Sequence, residues 1–284
     1  MQFFLEAIKQ YPEYLREFFG YGGYERAPEG FLSWQHLLFI SYFLAAMVFF
    51  GIYFGLRNRH ADDVAKNKVL VATAIVINAF ELFRIVALCI RNNNPLDWLY
   101  NLPLFLCSIQ FITIPLAAFS KGRVREASLD FVFIFGILAA VMGNIGAGQN
   151  YGTYPVLSLD NVFSAITHSI SGFASLYIAV SGLASMKKKN MWISFTIITV
   201  VSAIAYAVNL ILPYNYMFLM HDDGTPYSIF YNLVNGNRVL YPLTVLLLFF
   251  AYIFVFYLIY YLIGKRRSKK AGANPGEYKE KHKV

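Results

Sequence analysis

Charge is scarce in this sequence. Charged side chains make up 14% of the 284 residues against a hydrophobic share of 58%, whereas an ordinary soluble domain carries about 25% charged residues. A surface facing water cannot be assembled from that stock, so the solvent is lipid. Cysteine is equally sparse: Cys89 and Cys107 are the only two, both lie inside apolar stretches, and a disulfide framework is excluded. The sequence has no close metal-ligand pair such as H-x-x-x-H, no glycine-rich phosphate loop, no dinucleotide fingerprint and no internal repeat. Neither a metal nor a cofactor is therefore expected. The N-terminus, with Glu6, Glu13 and Glu17 and no basic region ahead of an apolar core, does not resemble a cleavable signal. The first span is expected to serve as its own insertion signal.

What is abundant is long apolar sequence rich in aromatics, which make up 18% of the chain and suit lipid-facing helices and interfacial belts. Crossing the hydrocarbon takes about 20 apolar residues in a helix. Seven stretches qualify: 32–56, 68–90, 98–119, 126–146, 160–185, 191–212 and 240–263. The expected fold is all-α, a polytopic seven-transmembrane-helix bundle. Residues 1–31 form an extracytoplasmic interfacial segment, 32–263 the transmembrane domain and 264–284 a basic cytoplasmic tail. In the first segment Phe4, Ile8, Tyr11, Leu15 and Phe18 recur at helical spacing, which predicts a short helix lying on the membrane, interrupted near Pro12. The tail from Lys265 onward, with Pro275 and mixed charge, reads as a disordered arm.

Lysine and arginine set the orientation. Arg57, Arg59, Lys66 and Lys68 lie between spans one and two, Lys121, Arg123 and Arg125 between three and four, and Lys187, Lys188 and Lys189 between five and six. The tail adds Lys265, Arg266, Arg267, Lys269 and Lys270, while the opposite loops carry little beyond Arg91 and Arg238. The N-terminus is accordingly placed outside and the C-terminus in the cytoplasm, in the plasma membrane. The net charge of +8 is accounted for by these loops, so nucleic acid is excluded as a partner and membrane lipids are the expected one.

Ionisable residues inside a span are costly and face the bundle interior. Glu81 and Arg84 share a face of span two at i and i+3, where each offsets the other's burial. In span three Asn101 is read as a cap with Pro103 in the first turn, placing Cys107 about 9 Å along the axis at 1.5 Å per residue and Gln110 one turn deeper. Span five, running from Asp160, reaches His168 at the same depth. His36, Asn144, Asn209, Asn235, Asn237 and Arg238 lie toward the same half of the membrane, a pattern that points to a cavity opening outward. A thiol beside an imidazole is the minimal equipment of nucleophilic acyl chemistry, because the thiolate attacks and the histidine takes and returns the proton. Singly, Cys107 is a small buried hydrophobe and His168 an interhelical hydrogen-bond donor.

Four stretches, FLSWQHLL around His36, NLPLFLCSIQ around Cys107, ITHSISGF around His168 and VNLILPYNYMFL from Asn209 through Tyr216, resemble the YwaF-like bacterial integral membrane proteins, related to the eukaryotic transmembrane protein 164 family. The resemblance spans about residues 31 to 262. It implies phospholipid acyl transfer by a membrane-embedded cysteine and histidine, which by motif position are Cys107 and His168. It also implies a polar residue two positions before the cysteine, where this chain has Phe105. Two functions are carried forward. The first is a lipid acyltransferase or transacylase with Cys107 as nucleophile, His168 as general base and acid, and Glu81, Arg84, Gln110, His36, Asn101 and Asn209 binding or orienting substrate. The second is a transporter or receptor holding a small polar ligand in the same cavity with no covalent step.

Overall fold

The computed structural model describes residues 12–270. Ten α-helices are present among them: α1 Glu13–Phe19, α2 Trp34–Asn58, α3 Asp63–Arg91, α4 Gln110–Phe119, α5 Gly122–Asn144, α6 Gly148–Thr153, α7 Leu159–Ser181, α8 Lys188–Ile211, α9 Ser228–Leu233 and α10 Leu240–Lys270. Of the expected interfacial helix only α1 falls in this range, starting just after Pro12; Phe4, Ile8 and Tyr11 lie outside the described residues. The tail is helical through Lys270, beyond the boundary expected at residue 264, and its remainder with Pro275 is likewise outside the described residues.

Six helices, α2, α3, α5, α7, α8 and α10, are long and apolar enough to cross a membrane. Their starts follow local chemistry. Ser33 accepts from the His36 N–H at the head of α2, Asp62 from Ala65 at α3 and Ser158 from Asn161 at α7, each satisfying an amide that the first turn leaves free. The end of α7 corrects the expected span 160–185. Gly182 adopts φ 77° and its N–H caps the Ile178 carbonyl, a left-handed stop that glycine takes without strain.

The third predicted span is not a long helix. Residues 98–119 contain part of a 3₁₀ turn (Asp97–Tyr100), an irregular stretch from Asn101 to Ile109, and the ten-residue α4 with Pro115 inside it. Asn101 is thus no helix cap, and Cys107 stands in the turn that leads into α4. Hydrogen bonds nevertheless fix where this segment runs. At one end of the bundle, the mouth end, Tyr216 donates to the Leu99 carbonyl, and Arg91 pairs with Asp160. At the far end Asn67 donates to the Ala118 carbonyl and Tyr177 to that of Lys66. Residues 92–119 therefore start at the mouth end and finish at the far end.

The bundle is apolar on its flanks and carries polar groups among the apolar residues of its interior. Phe49, Leu38 and Trp34 are exposed on its flank, while Glu81, Asp130, Asn144, Asn161 and Asn190 are buried. At its centre α7 packs on α5, α2 and α3. Close approach depends on glycine. A Cβ at Gly136 of α5 would stand 2.5 Å from the Ser171 carbonyl oxygen, and one at Gly55 of α2 would stand 2.6 Å from the Val180 Cβ. At the far end the Asp130 carboxylate accepts from the Ser185 and Met186 N–H groups, the Ser185 hydroxyl and the Asn190 amide, all within 2.9 Å. This acid, unremarked in the sequence, fastens the α7–α8 connection to α5.

Candidate functional site: a polar cavity at one end of the bundle

A cavity of about 950 Å³ opens at the mouth end between α3, the irregular stretch before α4, α7 and the segment that follows α8. Cys107 and His168 both line it. His168 sits two turns into α7, roughly 12 Å below Asp160 at 1.5 Å per residue. Its Nδ1 lies 2.7 Å from the Ser164 carbonyl oxygen and 3.3 Å from the Ser164 hydroxyl. A carbonyl only accepts, so Nδ1 carries the proton and Nε2 keeps its lone pair. Cys107, in the turn before α4, and His168, on α7, thus share one cavity wall, each the other's first ionisable neighbour. The turn is shaped by Ser108, whose hydroxyl accepts from the Phe105 N–H and donates to the Phe105 carbonyl.

Glu81 and Arg84 form the expected pair. Arg84 reaches Glu81 with Nε at 3.0 Å and Nη2 at 2.6 Å, and the same Nη2 donates to the Asn101 amide oxygen at 3.1 Å. All three line the cavity. The bidentate fork fixes the guanidinium plane and neutralises the carboxylate.

A second acid–base cluster at the mouth has no counterpart in the expectations. Arg91 at the end of α3 grips Asp160 at the start of α7 through two N–H groups, at 2.5 and 3.1 Å. Tyr24, from the segment between α1 and α2, donates to Asp160 at 2.8 Å and accepts from Arg91. Burial, reinforced by the Asp160 charge, pushes the Tyr24 phenol above its ordinary range. In sequence Arg91 and Asp160 stood out only as a loop cation and a helix start; pairing across 69 positions leaves no local signal.

Other expected site residues are placed differently. His36 is wholly buried away from the cavity: Nδ1 accepts from the Leu32 N–H, Nε2 donates to the Asn144 carbonyl, and Tyr151 packs 3.8 Å away, centroid to centroid. Both its nitrogens are occupied, which leaves it a joint between α2 and α5. Gln110 is buried and absent from the lining; Thr113 donates to its Oε1, and its Nε2 has no hydrogen-bond partner. Asn209 lies at the cavity wall, yet its amide is taken up by the Tyr216 backbone. Phe105, where a polar group was expected, packs on Tyr214, Tyr216 and Phe218. Among the described residues no three His, Cys, Asp or Glu side chains gather as a metal would require.

A helical bundle with lipid-facing flanks and a charged internal cavity defines an integral membrane protein. The chain belongs to the TMEM164 family, whose model matches residues 31–270. No curated protein and no solved structure matches it.

Proposed function

We propose that this protein is a membrane-embedded acyltransferase that moves an acyl group between lipid hydroxyls through Cys107. One observation carries the reading: a thiol and an imidazole line the same cavity, close enough for the charge of each to act on the other, and its walls also hold two Arg–carboxylate pairs. In the forward step His168 Nε2 takes the Cys107 proton as the sulfur attacks the acyl carbonyl carbon. The ester C–O bond then breaks, and His168 returns the proton to the departing alcohol oxygen, leaving a thioester on Cys107. An acceptor alcohol reverses the sequence: its proton goes to His168, its oxygen attacks the thioester carbonyl, and the thiol is restored. Atoms balance with no further reactant. The Cys107 N–H, in the turn before α4, suits the developing oxyanion, and Arg84 suits the phosphate of a headgroup.

The chain is proposed to cross the bilayer seven times, six crossings by long helices and the third by residues 92–119, with the N-terminus outside and the C-terminus in the cytoplasm. The lysine and arginine asymmetry supports that orientation, and the cell membrane is the compartment it fits. The decisive experiment uses purified protein in phospholipid nanodiscs. Acyl exchange between phospholipids and a lipid-derived thioester on Cys107, detected by mass spectrometry, are expected for the wild type and lost in Cys107→Ala. Exchange retained in Cys107→Ala would overturn the proposal.

A second reading, a transporter or receptor for a small polar ligand, draws support from the irregular third segment, because broken helices line transporter sites. Against it, no residue of the far end lines the cavity. Under this reading Cys107→Ala leaves function intact.

A further inference from the structure

The imidazole of His168 rests on a glycine. A Cβ built on Gly143 of α5 would lie 1.9 Å from His168 Cδ2, 2.2 Å from Cγ and 2.3 Å from Nε2. No real side chain tolerates such distances, so the ring occupies the volume that any other residue at 143 would fill. Gly143 is the penultimate residue of α5, in α-helical backbone rather than at a positive φ. The turn, cap and left-handed explanations of a glycine are therefore absent here. Close packing remains, and it is packing against one side chain rather than a backbone: at Gly136, two turns earlier on the same helix, the nearest atom is the Ser171 carbonyl oxygen.

We infer that Gly143 is a positioning residue for His168: the shelf left by its missing side chain, together with the Ser164 carbonyl that holds Nδ1–H, turns Nε2 toward Cys107. The two constraints act on different atoms. The carbonyl fixes the tautomer and one edge of the ring; the shelf fixes the plane and admits the opposite edge, which carries Nε2. A methyl at 143 does not have to move a helix, because the group it meets is a side chain with two rotatable bonds. The ring swings off the shelf, Nε2 leaves the sulfur, and the rest of the bundle keeps its place.

This inference rests on the reading of Cys107 and His168 as working partners, and its test is arranged so that the two fail separately. The readout is the rate of alkylation of Cys107 by a maleimide against pH, in a Cys89→Ala background so that one thiol is followed; it requires no acyl-transfer activity. Gly143→Ala is expected to displace the alkylation profile as His168→Ala does, with the double variant showing no further change, while the melting temperature stays near wild type. Acyl exchange is expected to fall at least tenfold in kcat with KM little altered. Gly143→Ala with an unchanged alkylation profile would overturn the inference, as would effects of Gly143→Ala and His168→Ala that simply add. Should Gly143→Ala express poorly, Gly143→Ala/His168→Ala is expected to regain wild-type yield because the obstructing ring is gone; a double variant as poor as the single also overturns it. If the coupling to His168 holds and no variant or wild type exchanges acyl groups, the positioning stands and the acyltransferase reading falls.

Discussion

Asn209 grips the backbone of Tyr216 at both of its polar groups: Nδ2 donates to the Tyr216 carbonyl at 3.0 Å and Oδ1 accepts its N–H at 2.8 Å. The Tyr216 hydroxyl in turn donates to the Leu99 carbonyl at 2.6 Å and accepts from the Leu102 N–H at 3.1 Å. One amide at the end of α8 thus holds a segment that lines the cavity, and that segment holds the irregular stretch preceding Cys107. Asn209→Ala removes two buried hydrogen bonds and leaves a backbone donor and acceptor unpaired, about 1–3 kcal/mol each. Faster hydrogen exchange is expected across residues 99–106 as well as 212–219, together with a lower melting temperature. Exchange confined to residues near 209 would sever the proposed link.

Asp130 is the corresponding fastening at the far end. Asp130→Ala removes the acceptor of three donors in the α7–α8 connection and of the Asn190 amide in α8 and is expected to destabilise the protein by about 3 kcal/mol or more, since hydrogen bonds to a charged group are each worth about 1.5–3 kcal/mol. Asp130→Asn keeps one acceptor oxygen and should lose less. A thermal-shift series that placed the two variants level would show that charge and acceptor count do not matter there.

The glycine contacts of α7 predict an ordering. Gly136→Ala meets a backbone oxygen at 2.5 Å and must part α5 from α7, an overpacking cost of about 1–3 kcal/mol. Gly152→Ala, with nothing within 4 Å, should be neutral. The melting temperatures of the two variants in the same detergent check this, and equal values would contradict it.

Tyr24 carries a pH dependence. Its phenol is raised above the ordinary value near 10 by burial and by Asp160, so the neutral form is favoured in the folded state. Its stabilisation is then fully present below pH 10 and is lost as pH climbs through the folded value. Proteolysis of the segment around residues 20–33 is expected to stay slow up to pH 10 and to quicken above it. Tyr24→Phe, lacking the hydroxyl that bridges Asp160 and Arg91, should quicken it at every pH.

Hydropathy made the six long helices legible, because a run of 20 apolar residues has few other destinations in a membrane. It failed on residues 98–119 for the same reason. NLPLFLCSIQFITIPLAAF is mostly apolar, and an irregular apolar stretch reads like a helical one when composition is the only measure. What unwinds it is tertiary: the Tyr216 hydroxyl on Leu99 and Leu102, and Arg84 on Asn101. Glu81 and Arg84 were legible because i,i+3 spacing settles contact within one helix. His36 misled, since depth alone cannot distinguish a ring facing a cavity from one whose two nitrogens are already engaged, and Arg91 with Asp160 stayed hidden because nothing local joins two helix ends. Gly143 could have been flagged as a glycine near the end of a span, but its partner could not.

The irregular backbone between Asn101 and Ile109 also bears on how the chain is assembled. Lipid offers no hydrogen bonds, so peptide groups outside a helix persist at membrane depth only when protein covers them, and the cover here comes from Tyr216, more than a hundred residues further along. While the ribosome has delivered only α2 through α5, the proposed third crossing lacks that cover. It is expected to wait as a continuous helix or at the membrane face, and to take its working shape once α8 is in place. The turn that holds Cys107 is then among the last parts of the protein to form, and a chain released before Asn209 inserts helices without ever acquiring the site.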